Sequence, residues 1–173
     1  MKEKMAKSII VIPTYNEKEN ISLLIKKIFK ILPLIHILVV DDNSPDKTGE
    51  QVKKLQKKYP NLFLLTNPLK SGLGNAYIEG FKKVIKGDEF DFLVMMDGDF
   101  SHDPKYLPRL LKEKEKYGLI IGSRYIKGGG VTSRWEFWRR ALSRGANLYC
   151  RIILRHKIKD WTGGFNCLQV SFL

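Results

Sequence analysis

Five short apolar runs, at residues 8–12, 36–40, 62–66, 91–96 and 119–121, alternate along the chain with longer stretches whose apolar residues recur every three or four positions. Runs that are apolar throughout, rather than at every second residue, suit strands buried on both faces of a parallel sheet. Between the first two, Ile21, Leu24, Ile25, Ile28 and Phe29 line up with lysines interspersed, which predicts an amphipathic helix stopped by Pro33. Further helices are expected over residues 48–58, 73–86 and 104–116, the last with Pro104 in its first turn. This alternation predicts an α/β class chain: a Rossmann-like, doubly wound, mostly parallel sheet flanked by helices, in a single domain. Ligands bind such sheets beyond the carboxyl ends of the strands. The loops at residues 13–17, 41–46, 70–74 and 97–99 are therefore where chemistry is expected.

A hydrophobic fraction of 43% and a charged fraction of 28% are those of an ordinary globular chain. There is no apolar run of membrane-spanning length, and residues 1–7 are basic without the apolar stretch of a signal peptide. Cytoplasmic residence with peripheral membrane contact is expected. The formal net charge of +13 implies attraction to a polyanion: nucleic acid, an anionic bilayer or a phosphate-bearing substrate. Cys150 and Cys167 lack metal-site spacing, and His36, His102 and His156 form no zinc or hydrolase pattern. His102 alone stands beside an acidic loop, where it is expected to pack or cap near Pro104.

Asp97-Gly98-Asp99 follows an apolar strand, so both carboxylates should leave it on one side, where a hard divalent cation would relieve their repulsion. A solvated acidic turn is the competing reading. Asp41, Asp42 and Asp46 form a second cluster, fit to grip a ribose or base, with Asp46 equally suited to cap the next helix. Lys70, Ser71, Gly72, Leu73 and Gly74 suggest a phosphate-handling loop before a helix, or simply a turn; the Walker ending is absent. Residues 127–132 (KGGGVT) could form a mobile lid. Residues 134–156 mix arginines with exposed-type aromatics such as Trp135 and Trp138. They suit an interfacial helix on anionic lipid, or a helix packing an apolar stripe on the sheet.

Taken in order, PTYNE (13–17), DDNSPDKT (41–48), KSGLGNAY (70–77), MDGDFSHDP (96–104), GSRY (122–125) and SRGAN (143–147) resemble the inverting family 2 glycosyltransferases of GT-A fold. Within that family the likeness is to dolichol and polyprenol monophosphate mannose synthases. The resemblance implies a GT-A domain over residues 1–173. It also implies a nucleotide-sugar donor, GDP-mannose, a dolichyl or polyprenyl phosphate acceptor, and Mg²⁺ or Mn²⁺. It implies that Pro13, Tyr15, Glu17 and Asp42 hold the nucleoside, with Lys70 nearby. Asp97 and Asp99 would serve the metal and the pyrophosphate, and Ser101 would be a third ligand where some relatives carry Gln. Arg124, Arg139 and Ser143 would receive the acceptor phosphate, with Arg140 the alternative to Arg139. The late motif DWTGGF (160–165) also matches, but relatives usually continue further, so a chain cut short at its C-terminus is expected, with a membrane-protein partner as one substitute for the tail.

That chemistry accords with the residue types. A phosphate monoester, with a second pKa of about 6, is already largely dianionic at neutral pH and needs no general base to attack. Inversion at the anomeric carbon is expected. The alternatives are a related transferase using a UDP-sugar, an inactive binding protein of the same fold, and a basic nucleic-acid-binding module. Nucleic acid is not expected as a partner, because that reading leaves the ordered acidic loops unexplained.

Overall fold

A computed structural model of the chain describes residues 7–130 and 137–173. Six strands form one sheet in the order β3-β2-β1-β4-β6-β5. They are β1 (Ser8–Thr14), β2 (His36–Asp41), β3 (Leu62–Thr66), β4 (Phe92–Met95), β5 (Leu119–Ile121) and β6 (Asn166–Gln169). β1 to β4 pair in parallel, and β6 runs antiparallel to both β4 and β5. The helices are α1 (Lys18–Ile31), α2 (Thr48–Gln56), α3 (Leu73–Gly87), α4 (Leu107–Lys112) and α5 (Phe137–Leu154).

Alternating side chains of the central strands feed two cores. Ile10, Ile12 and Val39 meet α1 and α2 on one face; Ile9, Val11, Leu38 and Val40 meet α3 on the other. Gly80 brings α3 close, since a Cβ there would lie 2.7 Å from Val11 and 3.1 Å from Val40.

Three elements depart from expectation. β1 continues through Pro13 to Thr14 instead of stopping at it. Val11 O accepts from Met96 N and Thr14 O from Asp42 N, so position 13 faces the side on which β4 has already ended. Its missing N–H therefore leaves no ladder partner unmatched. The helix expected over 104–116 is a 3₁₀ turn at Pro104–Tyr106 followed by the six-residue α4. Pro108 is tolerated only in a first turn, so the α-helix restarts around it, and the charged residues after Leu111 offer no apolar face to extend it. The last departure is β6, which has no counterpart among the expected strands.

α5 does not lay an apolar stripe on the sheet. Its buried residue is Asn147, flanked by half-buried Ser143, Ala146 and Cys150, while Phe137, Leu142, Tyr149 and Ile152 stand exposed. Among the described residues, no helix is long and apolar enough to cross a membrane. Val131, Thr132, Arg134, Trp135 and the side chain of Arg139 lie outside the described residues.

Candidate active site

The carboxyl ends of β1, β2 and β4 open on a cleft of about 270 Å³ lined by Pro13, Tyr15, Glu17, Asp42, Lys70, Asp97 and Asp99, with Thr14, Gly72, Leu73, Ala76 and Gly98 completing the wall. Gly98 lets the acidic loop lie against the first loop: a Cβ there would sit 3.2 Å from Thr14 and 3.5 Å from Pro13 O. The aspartates on either side of it both face the cleft.

Asp97 is held from three directions. Tyr77 Oη donates to its Oδ1 at 2.9 Å, its own N–H donates to His102 Nδ1 at 3.0 Å, and His102 Nε2 stands 3.7 Å from Oδ2. Burial, reinforced by the Asp97 charge, pushes the Tyr77 phenol far above its ordinary range, so it stays a neutral donor. Burial also pushes His102 down against the pull of Asp97 and Asp99, which keeps the ring neutral with Nδ1 accepting. His102 stacks on Phe165 at 5.1 Å, and a Cβ on Gly164 would lie 3.6 Å from Asp97 Oδ2, so the late motif closes over the acidic loop. Asp99 Oδ1 accepts from Ser101 N at 2.9 Å, in a turn that forces Phe100 to a positive φ of 63°. Ser101 Oγ reaches Asp97 Oδ2 only at 3.5 Å.

The second acidic loop serves mainly structure. Asp42 Oδ1 and Oδ2 accept from Asn67 Nδ2, Ser71 N, Ser71 Oγ and Gly72 N at 2.7–3.0 Å. Burial pushes the Asp42 carboxyl up, but these bonds outweigh it and hold the group below the usual carboxylate range. Within residues 70–74 the N–H groups of Ser71 and Gly72 bind the protein's own carboxylate, while Lys70, Gly72 and Leu73 line the cleft. Asp46 caps, accepting from Thr48 N and Oγ1 and from Lys18 N. Asp41 is buried against Thr14 and Ser44. Lys70 Nζ lies 3.7 Å over the Tyr15 ring, a cation–π contact at the cleft mouth. Glu17 Oε2 accepts from Asn20 Nδ2.

Of the residues expected to receive an acceptor phosphate, Arg124, Arg140 and Ser143 are not in the wall of this cleft. Arg124 is locked onto buried Asp160 by Nε–Oδ2 at 2.8 Å and Nη2–Oδ1 at 2.6 Å, and Nη2 also donates to Thr162 Oγ1. Its charge is thus matched within the protein. Ser143 Oγ accepts from Tyr125 Oη at 2.7 Å, and Asn147 Nδ2 joins Ser143 O to Thr162 Oγ1. Arg140, exposed, is on the same helix.

Tyr77 and Asp160 are thus structural partners whose positions the motifs contain but whose contacts no local spacing shows, whereas His102, five residues from Asp97, packs where its place beside the acidic loop puts it. Among the described residues, no three His, Cys, Asp or Glu side chains cluster as a metal cage. The donor set is two carboxylates and a hydroxyl on one loop at the mouth of a cleft. It suits a hard cation that takes its remaining ligands from water and phosphate oxygens.

Sheet order, strand-end cleft and DxD loop together define an α/β chain of GT-A type. Solved glycosyltransferases share it. Glucosyl-3-phosphoglycerate synthase from Mycobacterium tuberculosis, in complex with Mn²⁺, UDP and glucosyl-3-phosphoglycerate, superposes with a TM-score of 0.70 at 16% identity over 98% of this chain and 58% of its own. A mannosyltransferase from Pyrobaculum calidifontis, in complex with GDP-Man and Mn²⁺, gives 0.56 at 20% identity over 68% of this chain and 35% of its own. A model of glycosyl transferase family 2 matches residues 9–173, and the chain belongs to that family. A polyprenol monophosphomannose synthase of Mycolicibacterium smegmatis is 41% identical over 96% of this chain and 63% of its own length. A dolichol-phosphate mannosyltransferase of Pyrococcus furiosus is 41% identical over 92% of this chain and 45% of its own. The chain thus spans about two thirds or less of these relatives.

Proposed function

We propose that the chain transfers mannose from GDP-mannose to dolichyl or polyprenyl phosphate, with inversion at the anomeric carbon. The observation that carries this is the meeting of Asp97 and Asp99 with Tyr15, Glu17 and Lys70 in one cleft, in a chain 41% identical to a polyprenol monophosphomannose synthase.

In this reading Pro13, Tyr15, Glu17 and the loop braced by Asp42 hold the nucleoside, and Lys70 leaves the Tyr15 ring for the donor. Asp97 and Asp99, with the Ser101 hydroxyl as a weaker third donor, hold Mg²⁺ or Mn²⁺. The ion supplies charge neutralisation for the departing pyrophosphate. Tyr77 and His102 keep Asp97 aimed, and the closure of residues 160–165 over the acidic loop limits water. Ser143, Arg139 or Arg140, and the Arg124 network orient the acceptor. A phosphate oxygen of the acceptor bonds to the anomeric carbon as that carbon's bond to the nucleotide oxygen breaks. No proton leaves the nucleophile, so no general base is required. In the same reading the domain rests peripherally on an anionic bilayer, which the exposed apolar and arginine side chains of α5 support.

The test is incubation with GDP-mannose, polyprenyl phosphate and Mn²⁺, followed by NMR of the product linkage. A β-linked mannosyl phosphate from the α-linked donor is expected; a retained linkage or transfer only from UDP-sugars overturns the proposal.

A further inference from the structure

Phe100 stands between Asp99 and Ser101 with φ at 63°, in the left-handed region that bulky side chains rarely enter. Asn16 and Asn43, which also take a positive φ in the loops after β1 and β2, are of the type that tolerates it. A phenylalanine held there costs free energy that another contact must offset. That contact is made by its half-buried ring, which packs on the first core while Lys27 of α1 sets Nζ 4.8 Å over it.

The left-handed residue reverses the chain. Just beyond it, Ser101 N returns to Asp99 Oδ1 at 2.9 Å, Ser101 Oγ comes to 3.5 Å from Asp97 Oδ2, and His102 Nδ1 accepts from Asp97 N. An extended residue at position 100 would carry Ser101 and His102 onward by about 3.3 Å per residue, away from both aspartates. The two carboxylates are held unequally. Asp97 has Tyr77 and His102 against it. Asp99 is exposed, and among the described residues its carboxylate accepts from Ser101 N. Its direction is therefore set by the turn, and the turn by residue 100.

We propose that Phe100 is the positioning residue for Asp99: its ring, clamped between the first core and Lys27, imposes the turn that keeps Asp99 in the cleft and brings the Ser101 hydroxyl back to Asp97. That role presupposes that Asp97 and Asp99 hold a divalent cation, the function proposed for the cleft. It also ties the cleft to α1, a helix that contributes no residue to the cleft wall and reaches the acidic loop through Lys27 and Phe100.

The test is a titration of the full chain with Mn²⁺ alone, read from the EPR signal of the free ion, together with amide exchange of Ser101 in the metal-free chain. Phe100→Ala is expected to weaken Mn²⁺ binding roughly tenfold or more, within the range of about 10–100-fold for groups that support metal ligands. Exchange of the Ser101 amide should quicken in the same variant. Phe100→Leu refills the core and loses only the ring beneath Lys27, so it should stay within about two- to fivefold of wild type. Lys27→Met should lose that same amount, the size of an exposed cation–π contact. Phe100→Gly separates conformation from anchorage: glycine takes a positive φ freely but has no ring to clamp, so weak binding like that of Phe100→Ala is expected. Phe100→Ala or Phe100→Gly binding Mn²⁺ as tightly as wild type overturns the proposal alone. So does a Phe100→Leu variant that fails to restore the affinity, since a refilled core would then not be enough to hold the turn. A wild type that takes up no Mn²⁺ removes the cation reading of the cleft, and this proposal with it.

Discussion

Tyr77 sits on α3, yet its hydroxyl ends on Asp97 across the cleft. Its acidity is suppressed by burial and by the neighbouring carboxylate, so it stays protonated and donates to Asp97. Tyr77→Phe keeps the ring and removes that single donor. A group that orients a metal-holding carboxylate typically contributes about 10–100-fold in metal affinity. Loss of that size in Mn²⁺-dependent GDP binding is expected, with an unchanged melting temperature, and an unaltered Mn²⁺ titration would refute the role. Asp42 is a different case, because its carboxylate bonds stabilise the fold. Its folded pKa lies below the unfolded value of about 3.9. Its contribution is therefore complete above that value and disappears as pH falls through the lower folded one. Asp42→Asn replaces one accepting oxygen by an NH2 donor that faces the N–H donors of Ser71 and Gly72, and is expected to cost about 1–3 kcal/mol at neutral pH. Urea unfolding at a series of pH values should show the gap to wild type closing in acid, and a gap that stays constant would contradict this account.

At the scale of elements, the Arg124–Asp160 pair fastens the loop after β5 to the segment before β6. Asp160 is 1% exposed, and burial pushes its carboxyl up while Arg124 more than offsets this and holds it low. Asp160→Ala removes the bidentate carboxylate partner of the Arg124 guanidinium and is expected to destabilise by about 3–5 kcal/mol, whereas an apolar exchange of both partners should recover part of the loss. A double-mutant cycle by thermal melting measures this directly. That pairing was not legible in the chain, because its partners are 36 residues apart and neither belongs to a periodic pattern. β1, β2 and β4 were legible for the opposite reason, since strands buried on both faces must be continuously apolar, and the edge strand β3 by its apolar run alone, although Phe63 stands exposed. β6 was hidden, since Asn166 and Gln169 bound only two apolar residues and its strand character comes from β4 and β5 on either side. The same division holds in the site. Asp97 and Asp99 announce themselves by following an apolar run, but the capture of Asp42 depends on Ser71 and Gly72 arriving from 29 and 30 positions away.

For the whole molecule, the sheet order sets a hierarchy of dependence. β1, β2, β3 and β4 are a parallel unit with both cores, and the loops that line the cleft rise from it. β5 is hydrogen-bonded into the sheet by β6, which comes 45 residues later, and only Ile120 of it packs on the first core, so the loop carrying Arg124 and Tyr125 depends on β6 for its place in the sheet. Gly122 strengthens the dependence, as its N–H donates to Phe165 O at 2.7 Å. Removing residues 166–173 should therefore leave the parallel unit folded while releasing β5 and the Arg124–Tyr125 loop together. Hydrogen exchange on the shortened chain tests this: amides of β1 and β2 are expected to stay protected, while those of β5 and of residues 122–125 exchange near the unfolded rate. Protection of β5 equal to that in the full chain would mean that the first five strands fold without the sixth, and that the Arg124–Tyr125 loop is not held in place by β6.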